Sequence, residues 1–220
     1  FVSKAMPEWT IEKSGRATSD LFATAGMVFL FLLCRQLLGR RTAYLTAFVF
    51  AALPYNIFYG RVVLPDPSMV ALSLAGLWAI ARYIANQKKR YFVLGIIFSA
   101  AAFLVKPYAI FLLAPVVYLW LVGFGRKKLI KFLIYAVLTT LPFLLWRFWI
   151  AQFPEGIPAS TWLLNGDGIR FKGAWWYWIF ADRVAREILG YWGVALLVFG
   201  VMRQWQGKYK FFPILFLLSS

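Results

Sequence analysis

The chain has 220 residues, 62% of them hydrophobic and 20% aromatic, including 11 Trp and 22 Phe. A water-soluble domain of this length cannot hide so many apolar side chains, and the lack of histidine removes Ser-His-Asp and Cys-His catalysis and any histidine-ligated metal. The formal net charge of +16 raises nucleic acid as a partner, a question settled by where the charges lie.

A bilayer-spanning helix needs about 20 predominantly apolar residues. Segments of roughly this kind recur at 20–38, 42–59, 67–84, 91–105, 107–123, 129–150 and 188–203, and a last one begins at 209. Period-two alternation is absent, which argues against a β-barrel. The fold class expected is all-α, a polytopic transmembrane helix bundle of about 8 spans, forming a single domain over 1–220.

The opening stretch "FVSKAMPEWTIEKSGR" lacks the basic-then-apolar build of a signal peptide, and Phe1 is not an initiator methionine. The final segment, "YKFFPILFLLSS", stops after a dozen or so residues. The expectation is an internal part of a longer chain. Cys34 stands alone within the first span, and its simplest use is as a small packing residue. No P-loop and no dinucleotide fingerprint is present.

Between the second and third segments lies "FYGRVVLPDP", where Arg61 and Asp66 interrupt the apolar pattern. Asp66 precedes Pro67 at a helix start, so it can serve as an N-cap. Its carboxylate has lone pairs to spare for a metal or a hydroxyl as well. Arg61 reads either as an anchor at the level of the lipid phosphates or as a ligand.

Residues 91–123 would be about 50 Å long as one helix, so they must turn, and Lys106-Pro107 is the only break. Two readings of Lys106 stand: a lysine snorkelling to the interface, or a fixed cation awaiting an anion near the membrane surface. The long segment 151–187 is rich in Pro and Gly in its first half. From Ala174 its aromatic run predicts an amphipathic interfacial helix with Asp182, Arg183, Arg186 and Glu187 toward water. Arg170 lies just before this belt, where a guanidinium could meet a phosphate bidentately.

The charges sort by connection. Fourteen of the 24 basic residues fall in four short connections, at Arg35 to Arg41, Arg82 to Arg90, Arg126 to Lys131, and Arg203 to Lys210. All eight acids lie in or beside the alternate ones. This is the positive-inside pattern, which puts the basic connections in the cytoplasm and residues 60–66, 106 and 151–187 outside. It also makes nucleic acid the weaker explanation of the charge. The outward side thus gathers Arg61, Asp66, Lys106 and Arg170, a set suited to an amphiphile with an anionic head.

The order of these motifs resembles a known family. R-x-x-S at Arg16 to Ser19, an apolar span, "LGRR", a second span ending in "YGR", then "LPD" and the "FLVKPY" hairpin follow one another over about 14–150. The pattern is similar to that of the membrane-embedded glycosyltransferases of GT-C fold, the polyprenyl- or dolichyl-phosphate-mannose protein mannosyltransferases and the aminoarabinose transferases. The resemblance implies transfer of a sugar from a polyprenyl-phosphate donor to a lipid, glycan or protein acceptor. The site would lie on the outer face of the plasma (inner) membrane, toward the periplasm or exterior. It implies that Asp66 is the acid of the second outer loop, catalytic and, in some relatives, a ligand of a divalent metal. Lys106 would lie near the donor phosphate, Arg170 would be a second arginine meeting it, and Arg61 would belong to the motif without a defined role. The family's principal catalytic acid would lie upstream of Arg16, and no residue here matches it. The alternatives are a transporter or flippase of a lipid-linked sugar, which should carry charges near the bilayer midplane, and a non-catalytic scaffold.

Overall fold

The computed structural model describes residues 10–125, 128–153, 166–202, 209 and 211–214. Residues 154–165, Glu8, Arg126, Lys127, Arg203, Lys208, Lys210 and the chain end from 215 lie outside the described residues. Every regular element among the described residues is helical.

Helix α1 runs Ile11–Leu37, starting well before the apolar stretch that marked the first span. Thr10 caps it, its side chain accepting from the Lys13 N–H at 3.3 Å, and Glu12 in the first turn suits the positive helix end. The second predicted span divides into α2 (Arg40–Ala52) and α3 (Pro54–Arg61), bent by 61°. The cause is local: Leu53 precedes proline and is pushed to an extended conformation, ψ 124°, which ends α2. Asn56 then binds the Phe50 carbonyl at 2.8 Å, so a side chain satisfies a group freed at the break.

Helix α4 (Asp66–Asn86) and helix α5 (Lys89–Val105) form a hairpin through Gln87, whose φ of 57° makes the turn. A 3-10 turn, Pro107–Leu112, leads into α6 (Leu113–Phe124), and α7 follows as Leu129–Ile150. After the undescribed loop come a second 3-10 turn (Gly166–Phe171), the short α8 (Gly173–Tyr177), π-helical turns over Trp178–Ile188, and α9 (Trp192–Met202).

Among the described residues, four helical stretches are long and apolar enough to cross a membrane: α1, α4, Pro107–Phe124 and α7. The bent α2–α3 pair makes a fifth if it counts as one span. The sequence pattern had suggested about 8 spans; of the remaining segments, 91–105 and 188–203 form short helices and the one from 209 lies mostly outside the described residues. Helix α5 has 17 residues and α9 has 11, which gives lengths of about 25 Å and about 17 Å against a hydrocarbon core of about 30 Å.

Helix α4 is the central element, packed against α1, α5 and α6. It buries Leu74, Leu77, Ile80 and Tyr83, which meet Leu119 and Trp120 of α6. Close approach to α5 depends on Gly76: a Cβ there would collide with Ser99 Oγ and come within 3.3 Å of the Ser99 backbone nitrogen. Ser99 also shares a hydrogen bond of 2.7 Å with the buried Tyr135 hydroxyl on α7, a polar tie between helices. The outward faces are as apolar as the core. Phe48, Ile130 and Phe148 are 70%, 74% and 84% exposed, which is stable in lipid and costly in water.

Candidate functional site

The α4–α5 hairpin brings the first residue of α4 beside the residue that ends α5. Asp66 was expected to cap α4, and this is corrected by the geometry. Pro65 occupies the cap position in a helical conformation, with no side-chain capping bond, and Asp66 is already inside the first turn. Ser68 Oγ donates to the Pro65 carbonyl at 2.8 Å instead. The Asp66 carboxylate is therefore left for a tertiary partner, and Lys106 Nζ donates to its Oδ1 at 2.6 Å.

Lys106 is positioned by the end of its helix. Its backbone N–H closes the last turn on the Ala102 carbonyl at 3.0 Å, and its extended φ and ψ of −155° and 124° suit the residue before Pro107. The ammonium lies 5.9 Å from the centre of the Tyr108 ring. Snorkelling alone does not describe this side chain, since it turns toward a carboxylate. The lysine and aspartate side chains remain 31% and 43% exposed, so the pair contributes at most about 1 kcal/mol to stability. An ammonium has three donors and the bridge occupies one, leaving two for an incoming oxyanion.

A cavity of about 200 Å³ opens beside the carboxylate, between α1, α3 and α4. Phe22, Tyr55, Tyr59, Leu64, Asp66 and Val70 are among its walls. Tyr55 and Tyr59 pack with ring centres 4.3 Å apart. Asp66 is the one acidic residue in a lining of apolar and aromatic side chains and the amide of Asn56.

Arg61 belongs to a different hollow. It lines a cleft of about 750 Å³ between α1 and α3 together with Glu12, Arg16 and Phe58, where Arg16 pairs with Glu12 at 2.7 Å. Arg170 lies in the 3-10 turn before α8, with an exposed side chain and a backbone carbonyl that accepts from Trp176 Nε1 at 3.0 Å. Among the described residues, neither arginine is joined to Asp66 or Lys106 by an ion pair or hydrogen bond. The structure thus brings two of the four predicted residues together.

The outer helix brings a second set of charges toward α3. The π-helical turns Trp178–Ile188 pack on α3, and the Tyr55 hydroxyl lies in the electrostatic field of Asp66, Arg183 and Glu187. Arg183 pairs with Glu187 and stacks 4.8 Å over Trp178. Winding with i→i+5 bonds shifts the helix phase, so a face drawn at 3.6 residues per turn does not apply. Asp182 and Arg186 pair at 2.7 Å, with Arg186 the more exposed of the two.

Asp66 was also considered as a metal ligand. No group of three or more His, Cys, Asp or Glu side chains able to hold a metal occurs among the described residues.

Several apolar helices of spanning length define a polytopic membrane protein. Residues 11–149, well over half of the chain, match the model of the dolichyl-phosphate-mannose-protein mannosyltransferase family. The chain belongs to this family, and so to the membrane glycosyltransferases. No curated protein and no solved structure matches it.

Proposed function

We propose that the protein transfers a sugar from a polyprenyl-phosphate donor to a lipid, glycan or protein acceptor at the outer face of the membrane, within a GT-C fold. Asp66 and Lys106 form one wall of the site. The observation that carries this reading is their 2.6 Å contact at the mouth of the aromatic cavity, in a chain of this family. The site lies at the acidic end of the α4–α5 hairpin, and the basic turn Gln87–Arg90 lies at the other end. The positive-inside rule then turns the site outward.

In this reaction an acceptor oxygen attacks the anomeric carbon while the bond from that carbon to the phosphate oxygen breaks, inverting the configuration. The bonding pair stays with the phosphate, which gains negative charge. Lys106 offers its free N–H groups to that oxygen, a contact that strengthens as the charge develops. Asp66 holds Lys106 in place and orients the acceptor hydroxyl across the cavity mouth. The carboxylate that takes the acceptor's proton is assigned by family resemblance to the loop before α1. A cavity of about 200 Å³ suits a group of about one ring, since about 150 Å³ holds benzene. Arg170 would be a second phosphate contact, and Arg61 would hold the neighbouring cleft open to an anionic acceptor.

The buried part of α4 is uncharged, its polar groups limited to side chains such as Ser73, which gives no support to a transporter. The test is sugar transfer from a polyprenyl-phosphate donor by Asp66→Asn and Lys106→Ala in membranes. Turnover close to the unsubstituted protein in both variants would leave the ion pair with a purely structural role.

A further inference from the structure

The opposite end of the α4–α5 hairpin gathers cations that no acid among the described residues neutralises. Arg90 and Arg82 both lie over the Tyr91 ring, their guanidinium carbons 4.9 Å and 5.8 Å from its centre. The ring is held edge-on by Trp78, with centres 5.8 Å apart, and its hydroxyl accepts from Arg90 at 3.3 Å. Lys128, at the start of α7, donates to Gln87 in the hairpin turn and lies 4.2 Å over Phe124. This contact draws a third connection into the same junction. Lys88 and Lys89 complete it, and Arg82, Lys88, Lys89, Arg90 and Lys128 are all exposed.

None of these five residues forms an ion pair among the described residues, whereas Lys106, Arg16, Arg183 and Arg186 each have a carboxylate partner. The first turn of α5 carries two cations and no acid, against the preference of that helix end for negative charge. Two planar guanidiniums held on one ring repel each other unless an anion lies between them, and their forks suit phosphate oxygens. Arg82 lies one helical turn inside the end of α4, about 6 Å nearer the bilayer centre. That depth favours a phosphate tethered to acyl chains.

We propose that this junction of α4, α5 and α7 binds the phosphate of an anionic phospholipid from the basic-side leaflet. The site is independent of the transferase reading and lies about 30 Å from the Asp66–Lys106 pair, the length of α4. The protein is extracted from the membrane and its bound lipid measured by native mass spectrometry after exchange with mixed phosphatidylglycerol and phosphatidylcholine. Selective retention of phosphatidylglycerol is expected. Arg82→Gln with Arg90→Gln should weaken it about fivefold for each cation removed, and the charge-keeping Arg82→Lys with Arg90→Lys should retain much of it. Arg40→Gln with Arg41→Gln makes the same charge change at another basic connection and should leave retention unchanged. Equal losses from the two glutamine pairs would mean diffuse attraction and overturn the site. Equal retention of both lipids by the unsubstituted protein would overturn it too. Displacement of the lipid by inorganic phosphate or glycerol phosphate would assign the site to a free anion and overturn the lipid assignment. Circular dichroism of each variant separates lost binding from lost folding, and the lysine pair supplies a second, milder variant.

Discussion

Lys106 Nζ lies 2.6 Å from Asp66 Oδ1 although 40 residues separate them in the chain. The pair exists because one helix begins where its neighbour ends. Its worth as a stabilising contact is small, so exchanging the partners, Asp66→Lys with Lys106→Asp, should leave the melting temperature nearly unchanged and abolish sugar transfer. Unaltered transfer in the exchanged protein would show that only the bridge matters, whichever residue carries the charge.

In the proposed reaction Lys106 acts on charge that develops as the donor bond breaks. Removal of one such donor costs on the order of 100- to 1000-fold in turnover. Lys106→Ala should fall in that range, seen mainly in kcat when initial rates are measured against donor concentration. A change confined to KM would place the lysine in ground-state binding alone.

Arg61 lines the cleft with Arg16 and Glu12, away from the ion pair. Arg61→Gln should therefore lower transfer less than Lys106→Gln, by about tenfold or less, the effect of losing about 1 kcal/mol of peripheral binding. A loss as deep as that of the lysine variant would place the arginine at the reacting phosphate.

Gly76 permits the close approach of α4 and α5. Gly76→Ala should destabilise the protein by about 1–3 kcal/mol, the usual cost of overpacking, read as a lower melting temperature in detergent. Adding Ser99→Ala removes the oxygen that the new methyl group meets and should restore part of the loss, though Ser99 N remains 3.3 Å away.

The Ser99–Tyr135 hydrogen bond ties α5 to α7. A double-mutant cycle with Ser99→Ala and Tyr135→Phe should return a coupling of about 0.6 kcal/mol, the usual size for such bonds between membrane helices. A coupling near zero would assign the burial of Tyr135 to packing alone.

Composition and hydropathy made the helical membrane class legible, and motif order made the family legible. Hydropathy finds the part of a helix that lies in hydrocarbon, which is why α1 was expected from 20 and begins at Ile11, where a Thr10 cap and polar turns extend it. Pro54 was visible in the sequence, but nothing in the apolar count marks a 61° bend. Asp66 and Lys106 were both identifiable as charges at span ends, while their contact depends on the α4–α5 hairpin. Arg183 keeps an accessible side chain, as an interfacial helix implies, while the loosely wound turns also carry it toward Tyr55. Its approach to Tyr55 has no signature in sequence spacing.

Helix α4, at 21 residues, is about 31 Å long, close to the thickness of the hydrocarbon layer. It acts as a ruler with an ion pair at one tip and a cationic junction at the other. A bilayer much thinner or thicker than this ruler must tilt it or drag one tip out of register with its headgroups. Acyl-chain length in the host membrane therefore sets the depth of the ion pair, with no ligand entering the cavity.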